Sequence, residues 1–165
     1  LYGSWTITAV GTDLGNKTMI QNNSSFLYAQ LKSIQITSEI LSFPPLLPGS
    51  NNLPSTNDPT IVNNTGNWDG SLNVFGINLY ASLGEPVSSA FLGVGNFSVS
   101  SVNGGECSGI GLINNSNVVV SAINRGNVSA GNGNTSIYYC ITNVPSDIPA
   151  QQYSTSSGGS WEIRI

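Results

Sequence analysis

From residue 70 to the last residue the chain repeats one device, a run of mostly apolar and small residues cut short by a cluster of Gly, Asn or Pro. The runs are GSLNVFGINLYASL (70–83), SAFLGVGNFSVSSV (89–102), CSGIGLIN (107–114), NVVVSAIN (117–124), TSIYYCIT (135–142) and SWEIRI (160–165). Gly84 to Pro86, Asn103 to Gly105, Asn114 to Asn117 and Gly131 to Asn134 separate them, which is turn chemistry at short spacing. No stretch sustains the 3.6-residue period and the capping residues of a helix. Such segments must pair with one another, so the expected fold is all-β: about eight to ten antiparallel strands in a sandwich or barrel.

The earlier part of the chain is less regular. After KTMIQ (17–21), the stretch SFLYAQLKSIQITSEIL (25–41) carries apolar residues at odd positions (Leu27, Ala29, Leu31) and then at even ones (Ile34, Ile36, Ile40). The phase slips near Lys32 and Ser33, which calls for a bulge or bend. Residues 43–59 hold five of the eight prolines and read as neither helix nor central strand. They form a long surface crossing in which Phe43, Leu46 and Leu47 fold back over the core; the other reading is an apolar contact offered to a partner.

At the opposite end, LYGSWTITAV puts Leu1, Gly3, Trp5, Ile7 and Ala9 on one face and Tyr2, Ser4, Thr6 and Thr8 on the other, with Val10 the exception. GTDLGN (11–16) follows, with two glycines and no pattern. The last strand mirrors the first, with Trp161, Ile163 and Ile165 on one face. The chain thus divides into an N-terminal strand (1–10), a flexible linker (11–16) and a β-sandwich domain (17–165). A terminal strand of this kind completes either its own sheet or a neighbour's.

Composition narrows the partners. Only 7% of the 165 residues are charged, against roughly 25% in an average soluble protein. Polarity comes instead from 25 Ser, 21 Asn, 19 Gly and 11 Thr. Lys17, Lys32, Arg125 and Arg164 are scattered among eight acids, so no basic stripe exists to neutralise phosphates, and no nucleic-acid partner is expected. No apolar run approaches the roughly 20 residues that span a bilayer, so no membrane span is expected. The chain begins with Leu and carries no charged-then-apolar targeting segment, which suggests either an exported protein after leader removal or an engineered boundary.

Cys107 and Cys140 lie in separate strand-like runs. A disulfide between them fits an oxidising compartment; two buried thiols are the alternative. The N-x-[ST] sequon occurs at Asn16, Asn22, Asn23, Asn63, Asn96, Asn114, Asn127 and Asn134, where random placement would give about 4.6. N-linked glycans are therefore an expectation, supported by the turn-rich surroundings of Asn16, Asn63, Asn114 and Asn134.

Catalytic chemistry finds little to work with. The absence of histidine removes Ser-His-Asp and Cys-His nucleophile activation and the commonest zinc ligand. No spacing singles out a carboxylate pair for glycoside hydrolysis, and Asp69-Gly70 and Asn57-Asp58 read as turns rather than calcium loops. No enzyme activity, metal or cofactor is expected.

A mature-type start on an alternating strand, a glycine-bounded hinge and a charge-poor, sequon-bearing β domain with one cysteine pair resemble the subunits of archaeal surface filaments. The likeness is greatest to the glycosylated thread filaments of thermoacidophilic archaea, with archaeal bundling pilins and bacterial chaperone-usher pilins related in architecture. The resemblance implies an incomplete immunoglobulin-like sandwich that accepts the N-terminal strand of the next identical subunit, head to tail. It implies that Leu1, Gly3, Trp5, Ile7 and Ala9 form the donor strand of an extracellular, glycosylated filament supporting adhesion or biofilm. The acceptor groove is expected between residues 17–31 and 160–165. Burying Leu1, Trp5 and Ile7 would contribute roughly 1.5 to 3 kcal/mol each before ordering costs. The alternative is a monomeric or coat-forming binding module, an adhesin or lectin-like domain of a cell surface or virus, in which residues 1–10 pair with 17–21 in an ordinary hairpin.

Overall fold

The computed structural model describes residues 2–81, 90–104, 106–126, 133–155 and 159–165. Leu1 and Asn127 of the residues singled out above lie outside the described residues. The fold is all-β and sandwich-like, built from antiparallel sheets, and among the described residues the helical elements are two short 3-10 turns, Val94–Asn96 and Glu106–Ser108.

The strands follow in order: β1 (Gly3–Thr12), β2 (Thr18–Tyr28), β3 (Ile34–Ile36), β4 (Asn51–Pro54), β5 (Thr60–Asn64), β6 (Gly70–Gly76) and β7 (Leu79–Ala81). After them come β8 (Phe91–Leu92), β9 (Phe97–Ser100), β10 (Ile110–Gly111), β11 (Ser116–Ile123), β12 (Asn134–Asn143), β13 (Tyr153–Ser154) and β14 (Glu162–Arg164). One sheet runs β10-β9-β12-β5-β3, with β4 added beside β12; a second runs β11-β6-β14; a third, small one runs β13-β7-β8. β1 and β2 form a two-stranded sheet of their own.

Two-residue alternation decides which side chains enter the core. In β6, Leu72 and Val74 are buried while Ser71 is exposed, and in β12 Ile137, Tyr139 and Ile141 point inward. They meet Val62, Val94, Phe97, Val99 and Ile123 in one continuous core. Trp161 closes it, its ring edge-on to Phe97 at 5.0 Å between centroids and its indole N–H donating to the Ile77 carbonyl at 2.8 Å. Cys140 points to the other side of β12 and is disulfide-bonded to Cys107 on the second 3-10 turn.

The Pro-rich crossing does fold back at Phe43, edge-on to Phe97 at 5.6 Å, and at Leu46, packed on the core, whereas Leu47 stays exposed. It also contains a strand that the prolines obscured in the sequence. β4 pairs with the end of β12, and Pro54 sits at the last position of that strand, opposite Cys140. The phase slip at Lys32 and Ser33 is a full break: β2 stops at Tyr28 and pairing resumes at Ile34.

Candidate functional site

Two features stand out from the packed domain: a projecting two-stranded arm and a groove in the domain's side. The arm is the β1–β2 hairpin, antiparallel from Gly3 opposite Tyr28 to Thr12 opposite Thr18, with a register break between Ala9 and Gly11. Of the segment expected as a flexible linker, Gly11 and Thr12 belong to β1. Residues 13–16 form a turn in which the Asp13 carboxylate accepts the Gly15 N–H at 2.9 Å and the Lys17 N–H at 2.8 Å. Such side-chain closure is what Asp contributes to a turn, and it leaves Leu14 fully exposed at the tip.

Because opposite residues of a ladder share a face, the register sorts the hairpin into two surfaces. Gly3, Trp5, Ile7 and Ala9 share one with Tyr28, Phe26, Ser24 and Asn22; Ser4, Thr6 and Thr8 share the other with Leu27, Ser25 and Asn23. The first is apolar for half its length, yet Trp5 is 41% exposed, Phe26 50%, Tyr28 49% and Ile7 61%. No described residue of the hairpin belongs to the core. Half-exposed aromatics gathered on one face form the kind of apolar patch that marks a contact surface.

The hairpin is nonetheless held at its root. Asn67 donates its backbone N–H to the Leu31 carbonyl, accepts the Leu31 N–H on its side-chain oxygen at 2.8 Å, and donates its amide to the Ala29 carbonyl at 2.9 Å. Gly66 allows this approach, since a Cβ there would lie 2.3 Å from the Leu31 carbonyl oxygen. Beside them the Lys32 ammonium lies 4.1 Å from the centre of the Trp68 ring.

The groove opens on the side of the domain where two sheets end. β14 is the outer strand of one and β3 the outer strand of the other, and Ile163 and Ile36 both line the opening. Its volume is about 710 Å³. It is lined by residues 38–46 and Pro48 of the crossing, by residues 148–155 and 160–163, and by the core residues Val74, Leu92, Tyr139 and Ile141. Glu39 and Glu162 are the charged residues of the lining; Glu162 is paired with Arg164 at 2.7 Å. Residues 160–163 line the groove together with residues of the Pro-rich crossing, while β2 is paired with β1.

The sequons are spread over both regions. Asn16 occupies the hairpin turn at a φ of 61°, and Asn22 and Asn23 are exposed on β2, one on each face. Asn114 and Asn134 are exposed on the domain, whereas Asn63 and Asn96 are half-buried, Asn63 within β5 between β3 and β12.

One polar cluster escaped sequence reading. Where β12 changes partner from β5 to β4, the Asp58 carboxylate accepts the Tyr139 N–H at 2.8 Å in place of a ladder bond. Its other oxygen is buried without a partner, as is one oxygen of Glu106. Burial raises the Asp58 pKa above the usual carboxylate value, and the nearby Glu106 charge adds to this against the opposing Tyr139 and Ser55 hydrogen bonds. The Tyr139 hydroxyl is pushed up by burial and by Asp58. Among the described residues no three His, Cys, Asp or Glu side chains gather as metal ligands, and no helix is long and apolar enough to cross a membrane.

Comparison with protein families, with characterised proteins and with solved structures returns no match.

Proposed function

We propose that this chain is the structural subunit of an extracellular filament, polymerised head to tail when the N-terminal strand β1 of one subunit enters the groove of the next. The observation that carries the reading is complementarity within one molecule. One face of the β1–β2 hairpin exposes Trp5, Ile7, Phe26 and Tyr28, and the domain has a largely uncharged groove beside the outer strands β14 and β3. Main-chain pairing along a free edge with side chains set into pockets is an established way for an extended segment to bind. Because donor and acceptor are different surfaces, the contact does not close on itself, and repetition gives an open polymer.

The charge-poor, hydroxyl-rich surface, the disulfide and the exposed sequons fit an exported, N-glycosylated subunit of a cell-surface fibre serving adhesion or biofilm. The test is imaging of the purified full chain by electron microscopy. Head-to-tail fibres are expected from the wild type and none from Trp5→Asp. A wild type that stays monomeric at every concentration would favour the binding-module alternative, with the groove as its ligand site.

A further inference from the structure

We propose that the hairpin joins a second copy as a two-stranded unit, with the face of Trp5, Ile7, Phe26 and Tyr28 laid into the groove, and that β1 does not part from β2. This rests on the filament reading above and specifies the partner surface.

Three observations carry it. The first is the ladder. β1 is bonded to β2 along its length, and β2 is fixed to the domain through Ala29 to Leu31 by Asn67. Withdrawing β1 would leave a row of unpaired N–H and C=O groups on β2, while β1 within the hairpin still offers its outer edge to β14 or β3 of a neighbour.

The second is the distribution of apolar surface. β1 alone brings one described aromatic ring to the groove; the hairpin brings three, since Phe26 lies directly opposite Trp5 and Tyr28 opposite Gly3. A fully buried aromatic covers roughly 150 to 250 Å². A specific contact needs on the order of 800 Å² from each partner; with about half of each ring already covered, three rings and Ile7 supply roughly half of that, several times what the single ring of β1 offers. The third is charge. The hairpin's charged side chains are Asp13 and Lys17, both at the turn, so its apolar face enters a largely uncharged groove without stranding an ion.

A covalent lock on the full chain tests this. Thr6 and Ser25 are register partners on the hydroxylated face, at the separation that antiparallel partners share and a disulfide tolerates. Thr6→Cys/Ser25→Cys, oxidised and verified by peptide mass, is expected to form fibres with no loss of elongation rate relative to either single variant. Loss of fibres on locking, with both single variants assembling, would overturn the proposal while leaving the filament reading intact. Phe26→Asp is expected to abolish fibres as fully as Trp5→Asp, with Ser25→Asp silent; persistence of Phe26→Asp fibres would also overturn it. A wild type that forms no fibres removes the filament reading and this inference together.

Discussion

β1 and the terminal segment 161–165 that contains β14 carry the same signature, a tryptophan followed by isoleucine two residues on, and they have opposite surroundings. Trp161 is wedged between Phe97 and Tyr139 with its N–H satisfied, and Ile163 pairs across to Val74 in the core layer. Trp5 and Ile7 sit on a ribbon none of whose described residues belongs to the core, and they remain 41% and 61% exposed. Alternation states that a strand has a face to cover. It does not state whose side chains cover it. The contrast between the two strands separates a closed domain from an arm that looks outward.

Four changes break or sharpen that contrast. The largest effect belongs to the staple that the domain has and the arm lacks. Replacing Cys107 and Cys140 by Ser is expected to cost about 3 to 4 kcal/mol for a cross-link spanning 33 residues, read from urea unfolding, while amide exchange in β1 and β2 stays unchanged. Next comes the tryptophan pair. Trp161→Ala should destabilise the chain by about 3 kcal/mol. Trp5→Ala should shift it by under about 1 kcal/mol in dilute monomer and act on fibres instead. Equal stability losses at the two positions would erase the distinction.

A smaller effect concerns the root. Asn67→Ala should speed amide exchange at Leu31 and across β2 at a cost of about 1 kcal/mol or less in global stability, because its partners are exposed and water can replace it. The smallest lies in the pH response of the domain alone. The folded-state pKa of Asp58 is raised, so the folded chain holds that proton more tightly than the unfolded one. The resulting stability is fully present below the ordinary carboxylate value and is lost as pH rises through the raised one. Melting followed from about pH 3.5 to 7 should fall with rising pH, and Asp58→Asn should flatten that slope without touching the arm. The exposed pairs Arg125–Asp69 and Arg164–Glu162 loosen in acid but contribute little.

Much of the domain was legible because its determinants are local. The alternation in residues 70–76, 116–123 and 134–143 names both strand and buried face, and the Trp161 strand closes the core as its pattern requires. β4 was hidden because Pro54 ends a strand at a position that needs no N–H of its own, and a proline-rich string looks the same whether or not four residues within it pair. The groove was half legible. Its lining from residues 160–163 follows from a pattern, while the lining from the Pro-rich crossing depends on where a loop comes to rest against a strand over a hundred residues later. The Asp58 and Glu106 pair had no local signal, since burial of a carboxylate is decided by the strand exchange on β12. The hairpin was open to both readings, because an alternating strand before a Gly-rich turn serves equally to leave its domain or to fold back on it.

The most direct measurement places a photo-crosslinking residue at Ile7 of the full chain and maps its products by mass spectrometry after irradiation under assembly conditions. The account predicts links to residues 40–48 and 161–163 of a second copy, disappearing when a charge is introduced at Ile40, which lines the groove and is exposed. Links confined to the same chain, or none above those from a residue placed at Thr8 on the opposite face, would contradict it.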